Sequence, residues 1–275
     1  MGALFVTGCT AQPNETKPTA SSSTSPSTSE TPVAETLDTA TKYGDVHAYK
    51  LITDDAGEYA ATTINEDAAA YNYNPAVVDA GATSTFSEDE ILAAQRVAVK
   101  FVAEEAMDSI ALDSTAGWEE WKTTVGPKVF YPSIVNEMIE PVSYDAERST
   151  VIENNYDENT PKLVRDSKPR TNETLITVDS VLSEYDERVG DFLRFKVTAN
   201  AKYRVSDEVA LEYFKANTPD VDVANLKTNY PVLYDGIENA TLPTNNSWDY
   251  IVVRQGNDWI IGGFVFNGGD KNLIF

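Results

Sequence analysis

The alternation of apolar and polar side chains is most regular between residues 192 and 205. Leu193, Phe195, Val197, Ala199, Ala201, Tyr203 and Val205 fall on one side, and Arg194, Lys196, Thr198, Asn200, Lys202 and Arg204 on the other. A period of two over this length predicts a long half-buried strand. Upstream, Thr174, Ile176, Val178, Ser180 and Leu182 share one side of 173–184, which predicts a partner strand joined through the polar turn 186–190. Near the C-terminus, 248–254 and 259–266 flank Gln255-Gly256-Asn257-Asp258, a hairpin signal with Gly-Asn at its centre.

Ahead of residue 145 the period is helical. Ser87-Glu88-Asp89-Glu90 forms a capping box, and Ile91, Ala94, Ala98, Phe101, Val102, Ala106 and Ile110 follow at helical spacing. These predict a helix from Ser87 to about Leu112. Gly117 is expected to break the chain before Trp118-Glu119-Glu120-Trp121, and a second helical stretch to run through 133–139 until Pro141 ends it. Before the first helix, 47–53 and 58–64 read as short extended segments around the turn Asp54-Asp55-Ala56-Gly57. The stretch from there to Phe86, with Tyr71, Tyr73 and Pro75, reads as loop packed on something larger. Residues 206–247 form an insertion with a short helix near 207–215.

Helices followed by long antiparallel strands give an α+β class, with a helix packed into a bent sheet. With Trp259-Ile260-Ile261-Gly262-Gly263-Phe264 in the last strand, residues 87–266 resemble the NTF2-like superfamily, particularly its small membrane-anchored or secreted members. The resemblance implies a cone in which N-terminal helices pack on a curved antiparallel sheet, within a domain spanning 87–275. The insertion at 206–247 and the N-terminal extension 37–86 lie outside that pattern.

Cys9 is the single cysteine of 275 residues, and it closes Leu4-Phe5-Val6-Thr7-Gly8-Cys9. Val6, Thr7, Gly8 and Cys9 resemble the lipobox of bacterial lipoproteins, which implies a diacylglyceryl group on the thiol and attachment to the outer face of the cell membrane. Two acyl chains suit stable anchoring, since one myristoyl chain alone holds only marginally. Residues 1–8 then read as a truncated signal peptide. They carry no Lys or Arg, and a start placed too far downstream would account for their brevity. Residues 10–36 hold six Ser, seven Thr and four Pro and no aromatic side chain, so 9–36 is expected to be a disordered, lipid-anchored tether. As a flexible coil it would span about 30 Å, and drawn out roughly 80 Å.

Composition then narrows the chemistry. The net charge of −23 repels phosphate backbones, so nucleic acid is not expected as a partner. One cysteine and one histidine, His47, exclude a disulfide framework, a thiolate metal site and a multi-histidine zinc site within the chain. Asp54-Asp55 and Asp220-x-Asp222 lack the Gly and Glu of a calcium loop, and no phosphate-binding glycine loop or Gly-x-Ser-x-Gly elbow is present. No metal, cofactor or catalytic set is expected.

The most unusual local feature is the row Arg194, Lys196, Lys202 and Arg204 on one strand face of an acidic chain. It reads either as a docking stripe for an anionic ligand such as a wall polymer, or as cations paired across strands with acids such as Asp179 or Glu184. The expected function is a membrane-anchored surface lipoprotein acting as a non-catalytic accessory or binding module for a protein or cell-wall partner. The alternatives are a small-molecule isomerase or dehydratase using an NTF2-like pocket, and an assembly component associating through its open sheet face.

Overall fold

The long alternating strand fixes the architecture, because its apolar side must be covered. The computed structural model describes residues 40–54, 57–109, 115–132, 134–135, 166–218 and 225–267. In it, β4 (Thr171–Asp186), β5 (Gly190–Arg204), β6 (Thr241–Gln255) and β7 (Asp258–Asn267) form an antiparallel sheet in that order. All seven apolar residues of β5 and its exit, Leu193 to Val205, are buried as the alternation requires. The β4–β5 turn closes at Gly190 and the β6–β7 turn opens at Gly256, both at positive φ. Gln255 pairs with Asp258 across Gly256-Asn257, the two-residue connection read from sequence.

Helix α2 (Glu88–Phe101) lies on the inner face of this sheet. Its capping box is complete: the Ser87 hydroxyl accepts from the Glu90 backbone N–H, and Glu90 accepts from the Ser87 backbone N–H. Such a cap contributes about 1 kcal/mol. Ile91, Ala94, Ala98, Val99 and Phe101 are buried on the sheet side. The helix stops short of the predicted end near Leu112. At Val102–Ala106 it widens into one π-helical turn, with Met107 N–H donating to Val102 C=O at 3.1 Å. Ile110 and Leu112 lie outside the described residues.

A second antiparallel sheet is built from β1 (Lys42–Tyr43), β2 (Val46–Asp54) and β3 (Gly57–Ile64), close to the two extended segments expected there. It abuts the free edge of β4. Asp45 N–H donates to Thr174 C=O at 2.7 Å, and the Asp45 carboxylate accepts from Ile176 N–H at 2.8 Å. Gly44, at φ +74°, makes the approach possible, since a Cβ there would sit 2.4 Å from the Thr174 carbonyl oxygen. Further along, Asp79 N–H donates to Val181 C=O, so β4 meets a second segment on the same edge.

Several expectations are corrected. Gly117 does not break the chain but lies inside α3 (Thr115–Thr124). The stretch read as loop before Phe86 contains α1 (Ala80–Thr85), capped by the Asp79 side chain. A β-bulge between Val178 and Ser180 shifts the phase of β4, so Val181 enters the core rather than Ser180 and Leu182. The insertion ends earlier than 247. After α4 (Asp207–Asn217), α5 (Leu226–Asn229) and α6 (Pro231–Glu238), β6 already begins at Thr241. Of Thr241 to Ser247 only Leu242 and Pro243 are apolar, and Thr244 and Asn246 are buried polar residues, which hides the strand from a hydrophobic pattern. The stretch 133–139 and Pro141 fall almost wholly outside the described residues. The fold is α+β, and among the described residues no helix is long and apolar enough to cross a membrane.

Candidate functional site

The space between α2 and the larger sheet is occupied by the protein's own aromatic side chains. Phe101 meets Phe130 at 5.1 Å, Tyr250 at 5.7 Å and Trp121 at 6.3 Å between ring centroids, and Trp248 stacks on Tyr250. Trp121, Phe130, Trp248 and Tyr250 have no exposed surface. Burial alone raises the Tyr250 hydroxyl well above the ordinary phenol range, so it stays neutral. Thr244 Oγ1, Asn246 Oδ1, Tyr250 Oη and Gln95 Oε1 are buried without a hydrogen-bond partner among the described residues.

An accessible cavity of about 320 Å³ lies elsewhere, between the smaller sheet, the π-turn and α3. Its chemistry follows from two local irregularities and the helix that faces them. A bulge between Ala48 and Lys50 leaves Tyr49 unpaired on β2, where it lines the cavity. The π-turn shifts the phase of the helix end and brings Glu104, Glu105 and Asp108 to the cavity wall. Across it, α3 contributes Glu120 to the lining, while the indole of Trp121, fully buried, reaches Glu105 from the core.

The three carboxyls are held in different ways. Asp108 is buried and fully engaged. One oxygen accepts from Arg170 Nε at 2.9 Å, and the other accepts from the Thr62 hydroxyl at 2.8 Å and the Thr62 N–H at 3.2 Å. Arg170 is itself 2 % exposed, donates to Ser109 C=O and lies over the Tyr59 ring, so this ion pair is part of the core. Glu104 accepts from the Thr63 hydroxyl and faces Lys100 at 3.9 Å; burial nevertheless raises its carboxyl. Glu105 accepts from Trp121 Nε1–H at 2.6 Å and is hydrogen-bonded by Ser109. Burial, helped by the neighbouring Glu104 and Asp108, outweighs those bonds and pushes Glu105 up to about 7. Tyr49 is raised by burial first and then by the same three carboxyls.

The arrangement offers a hydrogen-bonding, acid-lined groove with one carboxyl poised near neutrality. Among the described residues no cluster of three or more acidic, His or Cys side chains could hold a metal ion. His47 is half-buried on β2 with Nδ1 2.7 Å from Asn65 Oδ1, away from the groove lining.

The residues singled out from sequence do not line the groove. Arg194, Lys196, Lys202 and Arg204 alternate along the outer face of β5. Arg194 pairs with Glu184 at 3.0 Å and Lys202 with Glu173 at 2.5 Å. Arg204 binds Asp166 through two nitrogens at 2.7 and 2.9 Å. Asp179 takes the hydroxyls of Thr177 and Thr198 instead of a cation, and Lys196 stands in register between Ser180 and Asp249 without an ion pair among the described residues. Cys9 lies outside the described residues.

Sequence reasoning missed Glu104, Glu105, Asp108 and Arg170. A usable signal existed: Glu105 and Asp108 continue the three-and-four spacing of Ala94, Ala98 and Phe101, which places acids on the buried stripe of a helix. Compared with protein-family models, with curated proteins and with solved structures, the chain matches none.

Proposed function

We propose that this chain is a non-catalytic binding or accessory module of NTF2-like build, carried on the outer face of a bacterial membrane by a lipid on Cys9. The observation that carries the non-catalytic part is the filled interior. Phe101, Trp121, Phe130, Trp248 and Tyr250 occupy the volume in which a cone-shaped domain would otherwise hold a small substrate. A helix laid on a four-stranded antiparallel sheet that ends in a tryptophan-bearing hairpin supports the NTF2-like reading. The groove at the π-turn is then the concave surface available to a partner.

One feature favours the enzyme alternative, an acid tuned to about 7 beside a tyrosine. Yet Glu105 accepts from the Trp121 indole N–H and is hydrogen-bonded by Ser109, and both bonds tie it to the protein itself. The binding reading is therefore preferred.

The test of the anchor is palmitate labelling of cells producing the full chain. Labelling is expected in the wild type, sensitive to signal-peptidase inhibition by globomycin, and lost in Cys9→Ala. Equal labelling of the two proteins, or a cytosolic product with an intact Met1, overturns the location. For the fold assignment, an experimental structure in which the larger sheet does not wrap around α2 removes the NTF2-like build.

A further inference from the structure

We propose that the inner face of β6 holds a buried hydration site, in which Thr244 and Asn246 bind one internal water behind the π-turn. The site stands whether or not the groove holds a ligand.

Two polar side chains point into the core where an alternating strand would place apolar ones. Thr244 is 4 % exposed and Asn246 1 %, and their Oγ1 and Oδ1 atoms have no hydrogen-bond partner among the described residues. They lie two residues apart on one face of the strand, which separates their Cα atoms by roughly 7 Å. Two hydrogen bonds of about 2.8 Å through one shared oxygen bridge most of that distance.

The smallest side chains of β5 lie beside them. Along that strand the inward residues shrink from Phe195 and Val197, which stand opposite Tyr250 and Trp248, to Ala199 and Ala201, which stand opposite Asn246 and Thr244. Beyond the alanines β4 presents Ile176 and Thr174, and the Thr174 hydroxyl is already given to Thr171. The interior is divided along β6. Rings fill one half, and small and polar side chains floor the other.

The donor and acceptor inventory selects water. Asn246 Oδ1 only accepts, so whatever lies between the two atoms must be able to donate, and water donates twice. Turning the amide over puts its NH2 in the place of the oxygen, and water serves that arrangement as an acceptor. Leaving both atoms unpartnered costs more than immobilising one water. The Asn246 amide nitrogen donates to Met107 Sδ at 3.9 Å, and Tyr203 Oη donates to Met107 C=O at 2.7 Å. Met107 also closes the π-turn through its own N–H, so the site backs the turn whose acids line the groove.

The experiment is 17O magnetic relaxation dispersion of water in solutions of the full chain, which counts waters held inside a protein for longer than it tumbles. Thr244→Val combined with Asn246→Leu nearly keeps the side-chain shapes and removes the polar atoms, and the variant is expected to hold about one long-lived water fewer than wild type. A crystal structure of the wild-type chain needs no variant to fold. It is expected to show a single solvent peak within hydrogen-bonding distance of both Thr244 Oγ1 and Asn246 Oδ1. An unchanged count, a crystal structure with no peak between the two atoms, or one with a protein group or a larger solute there would each overturn the site.

Discussion

On the outer face of the larger sheet, Asp166 meets the Arg204 guanidinium through two hydrogen bonds, and that pairing holds its carboxyl below the usual range. At the π-turn, Glu105 is hydrogen-bonded by an indole N–H and a serine with Glu104 and Asp108 nearby, and burial drives its carboxyl the other way. The difference sets two opposite pH responses within one fold. Asp166 binds its proton more weakly folded than unfolded, so its contribution is present above the unfolded pKa and is lost as pH falls through the lower folded value. Glu105 binds its proton more tightly when folded. Between about 4.5 and about 7 the native chain holds a proton that the unfolded chain has released, so stability falls as pH rises across that window. The outer face is weakened by acid and the groove by base.

The contrast breaks most severely at Asp108, the groove acid that does have a cation. Replacing Arg170 with Met takes the guanidinium away from a buried carboxylate, and the expected loss is about 3 to 5 kcal/mol. Urea unfolding at pH 7 measures it, and a loss below about 1 kcal/mol would place Asp108 in contact with water. Next in size is Glu105→Gln. A folded value of about 7 against an ordinary 4.5 corresponds to a stability gain on the order of 3 kcal/mol at pH 8.5, with little change at pH 4. Unfolding midpoints that shift equally at both pH values would show that the variant acts through packing.

The two regions are joined where the smaller sheet meets the edge of β4, and Gly44 is the narrow point. Gly44→Ala places a methyl 2.4 Å from the Thr174 carbonyl oxygen in a backbone conformation at φ +74° that L residues rarely adopt. A cost of at least about 2 kcal/mol is expected, accompanied by faster amide exchange at Asp45 and Ile176. Exchange that is unchanged at those two amides would show that the edge contact tolerates displacement.

The two regions also differed in how legible they were in the sequence. β5 was readable residue by residue, because a strand buried on one face must alternate, and Leu193 to Val205 do so without a fault. The hairpin at Gly256-Asn257 and the cap at Ser87 were readable because they depend on neighbours in the chain. Irregularities were not. The bulges at Tyr49 and Asp179 and the π-turn at Val102–Ala106 each insert an extra residue, and no local composition marks the place. The groove is assembled from the Tyr49 bulge and the π-turn. Its Asp108–Arg170 pair spans 62 residues, and such a contact exists only once the core has positioned both ends. The start of β6 stayed hidden for the opposite reason, since Thr244 and Asn246 are polar residues in a buried face.

The smallest effect tests the outer face itself. Arg194 and Glu184 meet at 3.0 Å with more than a third of each side chain in solvent, so water competes for both charges. A double-mutant cycle with Arg194→Met and Glu184→Gln is expected to give a coupling energy of about 0.2 to 1 kcal/mol, falling further in 0.5 M salt. Such a value would mean that these cations lose little when a different anion replaces the carboxylate, and the row would remain exchangeable. A coupling above about 2 kcal/mol would place the pair alongside Asp108–Arg170. The distinction drawn between a fixed interior and a labile outer face would then fail at its most exposed point.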